Sequence, residues 1–119
     1  MDLLLSARPG QGCTVLEVHG DLDMATEPQL REGLRPLVGS GPVVVDLTGV
    51  GFMDSSALGT LVVMFKAVRD SGGRLSLAGV QHPVRNVLRV TSVDRVIEVY
   101  DSVQAAEQNM PPSGPASAG

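Results

Sequence analysis

The segment Phe52-Met53-Asp54-Ser55-Ser56-Ala57-Leu58-Gly59 joins two different patterns of the chain. The run before it, residues 43–47, is almost continuously apolar, which is typical of a parallel strand covered on both faces. The residues after it carry an apolar stripe at helical spacing, formed by Leu58, Leu61, Val62, Phe65 and Val68. The two serines are therefore predicted to lie at a strand-to-helix junction, at the edge of a sheet.

Two roles are open for the polar residues of this junction. The N-terminus of a helix has unpaired N–H groups and a partial positive charge, so a phosphate added to a serine there would be stabilised electrostatically. The alternative is purely structural, because Asp and Ser are also the residue types that commonly cap helices. Local chemistry alone favours capping by Asp54, Ser55 and Ser56 over a phosphorylation switch.

Strands and helices are predicted to alternate along the rest of the chain. Strand patterns are present at residues 3–7, 14–19, 43–47, 74–79 and 96–100. Further helix-start signals are present at Thr26-Glu27-Pro28, with Thr26 as the expected cap, at His82-Pro83 and at Asp101-Ser102. This order predicts an α/β sheet with crossover connections, and periodicity alone leaves a small flavodoxin-like fold open.

The length and composition indicate one compact domain. The chain has 119 residues, 43% of them apolar and 18% charged, so it contains enough apolar side chains for one core. Residues 1–108 are predicted to form this domain. Residues 109–119 lack periodicity and are rich in Pro, Ser, Gly and Ala, which predicts a disordered C-terminal tail.

Charge and hydropathy disfavour several classes of partner. The net charge of -4 argues against binding to nucleic acid or to an anionic membrane surface. No apolar run approaches the roughly 20 residues of a spanning helix, and no signal peptide is recognisable, so we expect a cytoplasmic protein without membrane insertion. Cys13 stands alone, which predicts a half-buried core residue rather than a disulfide or a zinc ligand.

Signals of catalysis or cofactor binding are weak. His19 and His82 have no second ligand at the spacing of a metal site. The Asp-Ser-Ser-Ala run lacks the Gly-x-Ser-x-Gly form of a nucleophile elbow, and the chain has no Walker-type phosphate loop. We therefore expect a protein that is not an enzyme and that holds neither a metal nor another cofactor.

Two motifs resemble those of the STAS domain family, whose name joins sulfate transporters and anti-sigma factor antagonists. The first is the 52–59 segment with its preceding strand, and the second is Val18-His19-Gly20-Asp21-Leu22-Asp23-Met24-Ala25-Thr26. Ala57 departs from the first motif, in which Gly is commoner at that place. The resemblance covers residues 3–106 and implies a single STAS domain: a mixed β-sheet of about five strands with about four α-helices packed largely on one side.

The resemblance also implies a function, that of a bacterial anti-sigma factor antagonist. Such a protein binds an anti-sigma factor, commonly a GHKL-type serine kinase, and thereby frees a sigma factor for transcription. Phosphorylation of the first serine after Met-Asp ends this binding, and a serine phosphatase restores it. Matching the family motif to this sequence makes Ser55 the expected phosphoacceptor, with Ser56 as a second candidate. The resemblance also implies a monomer or weak dimer.

The expected docking surface combines both motifs. Loops that follow neighbouring parallel strands emerge at the same edge of a sheet, so the two motifs are expected to form one acidic, hydroxyl-bearing surface. The predicted partner-binding residues are Asp21, Asp23, Met24, Met53, Asp54, Ser55, Ser56 and Leu58. Loop capping is the equally weighted alternative for Asp21 and Asp23.

Two other functions stay open. One is an interaction module in a stress-signalling assembly, and the other is a cytosolic adaptor subunit of a lipid or anion transport system. The Met53-Asp54-Ser55-Ser56 run favours the antagonist, because an adaptor needs no acceptor hydroxyl there. Ala57 is expected to firm its helix and to hinder a kinase backbone, and Asp46 is expected to bond loop N–H groups at the end of its strand.

Overall fold

The computed structural model describes residues 2–110, and five strands form one sheet within them. The strands are β1 (Leu4–Pro9), β2 (Thr14–His19), β3 (Val43–Gly49), β4 (Leu75–Ala78) and β5 (Val99–Tyr100). Their spatial order is their order along the chain, with β1 antiparallel to β2 and all later pairs parallel. The sheet is therefore mixed, which confirms the predicted fold class.

Four α-helices connect or follow the strands. They are α1 (Glu27–Leu34), α2 (Ser55–Asp70), α3 (His82–Val90) and α4 (Val103–Gln108). Right-handed crossovers that always step in the same direction along a sheet place their helices on the same face. The sequential strand order therefore brings α1, α2 and α3 to one side and excludes a flavodoxin-like arrangement, in which the order reverses.

The sheet separates two apolar clusters. The larger one lies between the sheet and the first three helices, and includes Leu30 of α1, Leu61 of α2 and Leu88 of α3. The smaller one lies on the opposite face, where Ala106 of α4 packs with Val15, Val44 and Ala78. Three helices on one side and a short one on the other agree with the prediction that the helices pack largely on one side.

Two elements differ from their predicted bounds by three or more residues, each for a local reason, whereas β1 and β3 each extend two residues beyond their predicted ends, to Pro9 and Gly49. The apolar stripe of α1 was expected to continue through Leu37 and Val38, yet α1 ends at Leu34. Pro36 lacks a backbone N–H, and the chain continues as a 3₁₀ turn, Arg35–Leu37. The last strand is only two residues long, because Val93–Arg95 form another 3₁₀ turn and Val96 keeps helical backbone angles.

The described chain ends just beyond α4. Met110 packs against the smaller cluster, two residues past the predicted domain boundary at 108. The predicted disordered tail, apart from residues 109 and 110, lies outside the described residues. Within residues 2–110, no helix combines the length and the apolar character needed to cross a membrane.

Candidate functional site

The loops that follow β2 and β3 are joined by backbone pairing. Leu22 and Met53 form an isolated parallel bridge between them. The Leu22 N–H donates to the Phe52 carbonyl at 2.9 Å, and the Asp54 N–H donates to the Leu22 carbonyl at 2.9 Å. The two sequence motifs therefore lie side by side at the carboxyl edge of the parallel strands, as expected.

The Asp54 side chain connects the start of α2 to the neighbouring loop. Its Oδ1 accepts from the Ala57 N–H at 3.1 Å, which caps the helix. Its Oδ2 accepts from the Met24 N–H at 3.0 Å. Both carboxylate oxygens are thus used within the protein, so the observed role of Asp54 is to hold the two loops in register.

Asp23 and Thr26 organise the other loop. The Asp23 Oδ1 accepts from the N–H groups of Ala25 and Thr26 at 2.9 and 3.0 Å. Thr26 is buried, and its hydroxyl donates to the Asp21 carbonyl at 2.7 Å instead of capping α1. The prediction of Thr26 as a side-chain cap was wrong, and Asp23 performs the loop-capping role that was one of its two alternatives.

We define the loop surface by four exposed side chains of the joined loops: Asp21, Met24, Phe52 and Ser55. Met24 is 75% exposed and Phe52 49%, so this part of the surface carries two large apolar side chains. Ser55 is the first residue of α2, where the free N–H groups of the helix end favour negative charge. The loop surface thus combines apolar anchors, a carboxylate and a hydroxyl.

Met53 and Leu58 do not belong to the loop surface, although both were predicted to bind a partner. They are 3% and 7% exposed, and they pack in the larger cluster. Phe52 was not predicted, because the sequence alone does not show that its neighbour Met53 is buried. In an extended segment successive side chains point in opposite directions, so the buried Met53 implies an exposed Phe52.

Ser56 lies beside the loop surface, in a shallow groove between α1 and α2. Glu27 and Arg31 line the groove with it, and the Arg31 Nη2 lies 2.8 Å from the Glu27 Oε2. Ala57 is fully buried, and its N–H is bonded to Asp54. The expectation that the Ala57 methyl group would hinder a kinase backbone is therefore wrong, because that methyl group faces the core.

The family to which this architecture belongs follows from comparison with known proteins. The model of the STAS domain family matches residues 5–106. The chain belongs to the STAS domain family. The matched range contains both joined loops and the first three helices, so the candidate site lies wholly within the STAS domain.

Relatives of this STAS domain include named regulators. The anti-sigma-B factor antagonist of Staphylococcus aureus (strain NCTC 8325 / PS 47) is 30% identical over 91 residues, which are 75% of this chain and 84% of that protein.

Solved structures share the fold. An anti-sigma factor antagonist from Mycobacterium paratuberculosis has a TM-score of 0.82 at 22% identity, covering 91% of this chain and 93% of that one. The anti-sigma factor antagonist SpoIIAA of Bacillus has a TM-score of 0.73 in its unphosphorylated form, at 16% identity, over 93% of this chain and 100% of that one. Its phosphorylated form has a TM-score of 0.65 at 17% identity, over 89% and 97%.

Other polar residues of this STAS domain have structural roles. The Asp46 Oδ1 accepts from the Thr48 N–H at 3.0 Å and from the Thr48 hydroxyl at 2.6 Å, as expected for a residue at the end of a strand. Cys13 is half-buried, and burial together with the Glu107 carboxylate raises the pKa of its thiol. Among residues 2–110, no group of His, Cys, Asp and Glu side chains has the arrangement of a metal site.

Proposed function

We propose that this STAS protein is an anti-sigma factor antagonist, controlled by phosphorylation of Ser55. In its unmodified form it binds an anti-sigma factor through the loop surface and frees a sigma factor in the cytoplasm. The observation that carries the proposal is the exposed Ser55 hydroxyl at the first position of α2, beside an Asp54 carboxylate whose oxygens are both bonded within the protein. The names of the relatives support the same function.

The chemistry of Ser55 suits an acceptor. The anti-sigma factor is proposed to be a GHKL-type serine kinase, which supplies ATP. The Ser55 oxygen attacks the γ-phosphorus, the bond to ADP breaks, and the hydroxyl proton passes to a base of the kinase. A serine phosphatase then hydrolyses the phosphate ester with water and restores the hydroxyl. This chain is the substrate of both reactions and the catalyst of neither.

Phosphorylation would act through charge rather than through refolding. A phosphate adds about -1.5 to -2 charge, and the N-terminus of α2 stabilises it within the fold. The same charge lies on a surface that already carries Asp21. Like charges brought together in a desolvated interface cost several kcal/mol, and about 1.4 kcal/mol changes a dissociation constant tenfold. The partner is therefore released without a large conformational change.

The fold alone does not separate this function from the two alternatives, a stress-signalling assembly module and a transport adaptor. The exposed hydroxyl favours the antagonist over the transport adaptor, because an adaptor needs no acceptor at that position. Ser56 is less suitable than Ser55, since its side chain is half-buried beside the Glu27 carboxylate.

The test is phosphopeptide mapping of the protein purified from its native host, in wild-type, Ser55→Ala and Ser56→Ala forms. We expect a phosphoryl group on Ser55 in the wild type and in Ser56→Ala, and its loss from Ser55→Ala. The anti-sigma factor should bind the phosphorylated wild type at least about tenfold more weakly than the unmodified protein. No modification under several growth and stress conditions would contradict the proposal, and modification of Ser56 alone would move the acceptor by one residue.

A further inference from the structure

A second surface lies at the opposite end of the STAS domain from Ser55. Residues of the last turns of α2, the start of β4 and the segment before β5 line a cavity of about 300 Å³: Phe65, Arg69, Gly73, Arg74, Leu75, Val96 and Glu98. Arg69 is 14 residues beyond Ser55 in α2, which corresponds to about 21 Å along the helix axis. The cavity is therefore separate from the loop surface, and we call it the basic pocket.

The basic pocket has an apolar floor and a cationic rim. Leu75 is buried, Phe65 is half-buried, and Val96 is 57% exposed. The Arg69 guanidinium lies 5.9 Å from the centroid of the Phe65 ring, which holds its charge above the floor. The Arg74 Nη1 lies 3.3 Å from the Glu98 Oε1.

The carboxylates that pair with the arginines of the rim can be replaced by other carboxylates. Arg69 contacts Asp70, its neighbour in sequence, at 3.4 Å, and the four side chains of the two rim pairs are 45–72% exposed. Exposed ion pairs of this kind contribute about 0–1 kcal/mol. A carboxylate from another molecule can therefore replace Asp70 or Glu98 at little cost.

The two surfaces differ in charge. The lining of the basic pocket has two arginines, Arg69 and Arg74, and one acid, Glu98. The loop surface, by contrast, presents Asp21 beside the highly exposed Met24. An acidic surface with apolar anchors and a basic pocket with an apolar floor are complementary in charge and in polarity.

We propose that the basic pocket receives the loop surface of a second copy of this chain. Met24 enters the cavity between Phe65 and Val96, and Asp21 pairs with the guanidinium groups on its rim. Methionine suits such an irregular apolar cavity because its unbranched side chain is adaptable. The occupant is a second copy because the complementary surface is present on the chain itself.

The geometry of the contact sets its stoichiometry and its strength. Two different faces meet, so the contact is heterologous and propagates head to tail instead of closing as a two-fold dimer. A contact limited to one loop and one small cavity is weaker than a standard interface of roughly 1,600 Å². Self-association is therefore reversible, concentration-dependent and weakened by salt, because its charges are exposed.

Self-association has a regulatory consequence. A copy whose loop surface is occupied cannot present that surface to an anti-sigma factor. A high concentration of the antagonist therefore lowers the fraction of its copies that can bind the anti-sigma factor. This consequence rests on the proposed function, whereas the self-association itself does not.

The test uses two full-length variants that each remove one face. The pocket variant is Arg69→Glu with Arg74→Glu, and the loop variant is Asp21→Lys with Met24→Lys. A matched control, Arg85→Glu with Arg89→Glu, makes the same charge change on α3, outside the pocket. All these side chains are exposed, and circular dichroism with thermal melting checks that each variant is folded. Asp21→Lys alone replaces the loop variant if the double variant is unfolded.

Sedimentation equilibrium at protein concentrations up to about 1 mM, at low and high salt, gives the readout. We expect the wild type and the control to exceed the monomer mass at low salt, and both single-face variants to associate at least about tenfold more weakly. An equimolar mixture of the two variants should regain association but stop at the dimer, because each contributes one intact face.

Three results would overturn the inference: a monomeric wild type at every concentration, association that both variants retain, or a mixture that associates no better than its components. None of these results bears on Ser55 phosphorylation. The binding of the anti-sigma factor to the dilute pocket variant, expected to equal that of the wild type, tests the proposed function separately.

Discussion

At the scale of single residues, one carboxylate determines the geometry of the candidate site. Asp54 caps α2 through one oxygen and bonds the Met24 N–H through the other. Sequence reasoning gave Asp54 two roles, helix cap and partner contact, and the structure supports the first. Its acidic neighbour in the other loop, Asp21, is exposed. Asp54 and Asp21 therefore differ in role, because only Asp54 faces backbone N–H groups that lack another partner.

Replacement of Asp54 by Ala should lower the free energy of unfolding by about 1–2 kcal/mol, because a helix cap and a loop-to-loop hydrogen bond are lost together. Urea denaturation followed by circular dichroism measures the change. The matched control is Asp21→Ala, which should stay within about 0.5 kcal/mol of the wild type. Equal losses in the two variants would show that the Asp54 hydrogen bonds do not stabilise the native state.

At the scale of elements, α2 both builds the core and exposes the serine. Its apolar stripe was predicted from Leu58, Leu61, Val62, Phe65 and Val68, and the burial of Leu61 and Val68 agrees with this. Val62 and Phe65 are only half-buried, whereas Ala57 and Met64 are buried. The buried face is therefore turned toward Ala57 and Met64, because α2 packs against α1 as well as against the sheet.

Gly59 is a second feature of α2 with a measurable consequence. It is exposed in the helix interior, and no atom lies within 4 Å of the position that a Cβ would occupy. Gly59→Ala should therefore raise the free energy of unfolding by roughly 0.5–1 kcal/mol, because Ala loses less backbone entropy on folding. Chemical denaturation measures the gain, and a loss of stability would contradict the open environment of Gly59.

The control for Gly59 is Gly79→Ala, which should destabilise the protein. Gly79 has a φ of +69°, and a Cβ there would collide with the Thr48 hydroxyl oxygen. The same chemical change thus has opposite expected signs at two glycines, which separates an effect of helix propensity from a general effect of removing glycine.

At the scale of the whole molecule, the short α4 closes the second face of the sheet. The fully buried Ala106 packs there against Val15, Val44 and Ala78. Ser102 caps α4 by accepting from the Ala105 N–H at 3.0 Å, as its sequence signal predicted. A helix of six residues is too short to be stable alone, so α4 depends on the sheet for its stability.

Ala106→Asp should lower the free energy of unfolding by roughly 2–5 kcal/mol, because it forces an unpaired charge against the apolar face of β2–β4. Denaturant unfolding measures this loss of stability, and the control is Gln104→Asp at an exposed position of α4. The control places the same side chain on the same helix in solvent and should change stability by less than about 0.5 kcal/mol. A small effect of Ala106→Asp would mean that α4 detaches without consequence for the rest of the domain.

Much of the fold was predictable from the sequence, because local patterns of residues indicate where its strands and helices lie. Period-two alternation identified β2 at its observed residues, and the near-continuous apolar run identified β3 as a strand buried on both faces. Turn and cap residues located the starts of α1, α3 and α4. Ends set by backbone geometry, such as the shortened β5 after Val93–Arg95, were missed because no side-chain pattern marks a 3₁₀ turn.

By itself, the sequence determined the α/β class, the family motifs and the position of Ser55 at the start of a helix, because each of these depends on residues close together in the chain. Only the tertiary structure decided which motif residues reach solvent. The bridge between Leu22 and Met53 turned Met53 inward and Phe52 outward, and the packing of α2 buried Leu58. Exposure depends on partners about 30 residues away in the chain, and a local pattern contains no information about where such partners lie.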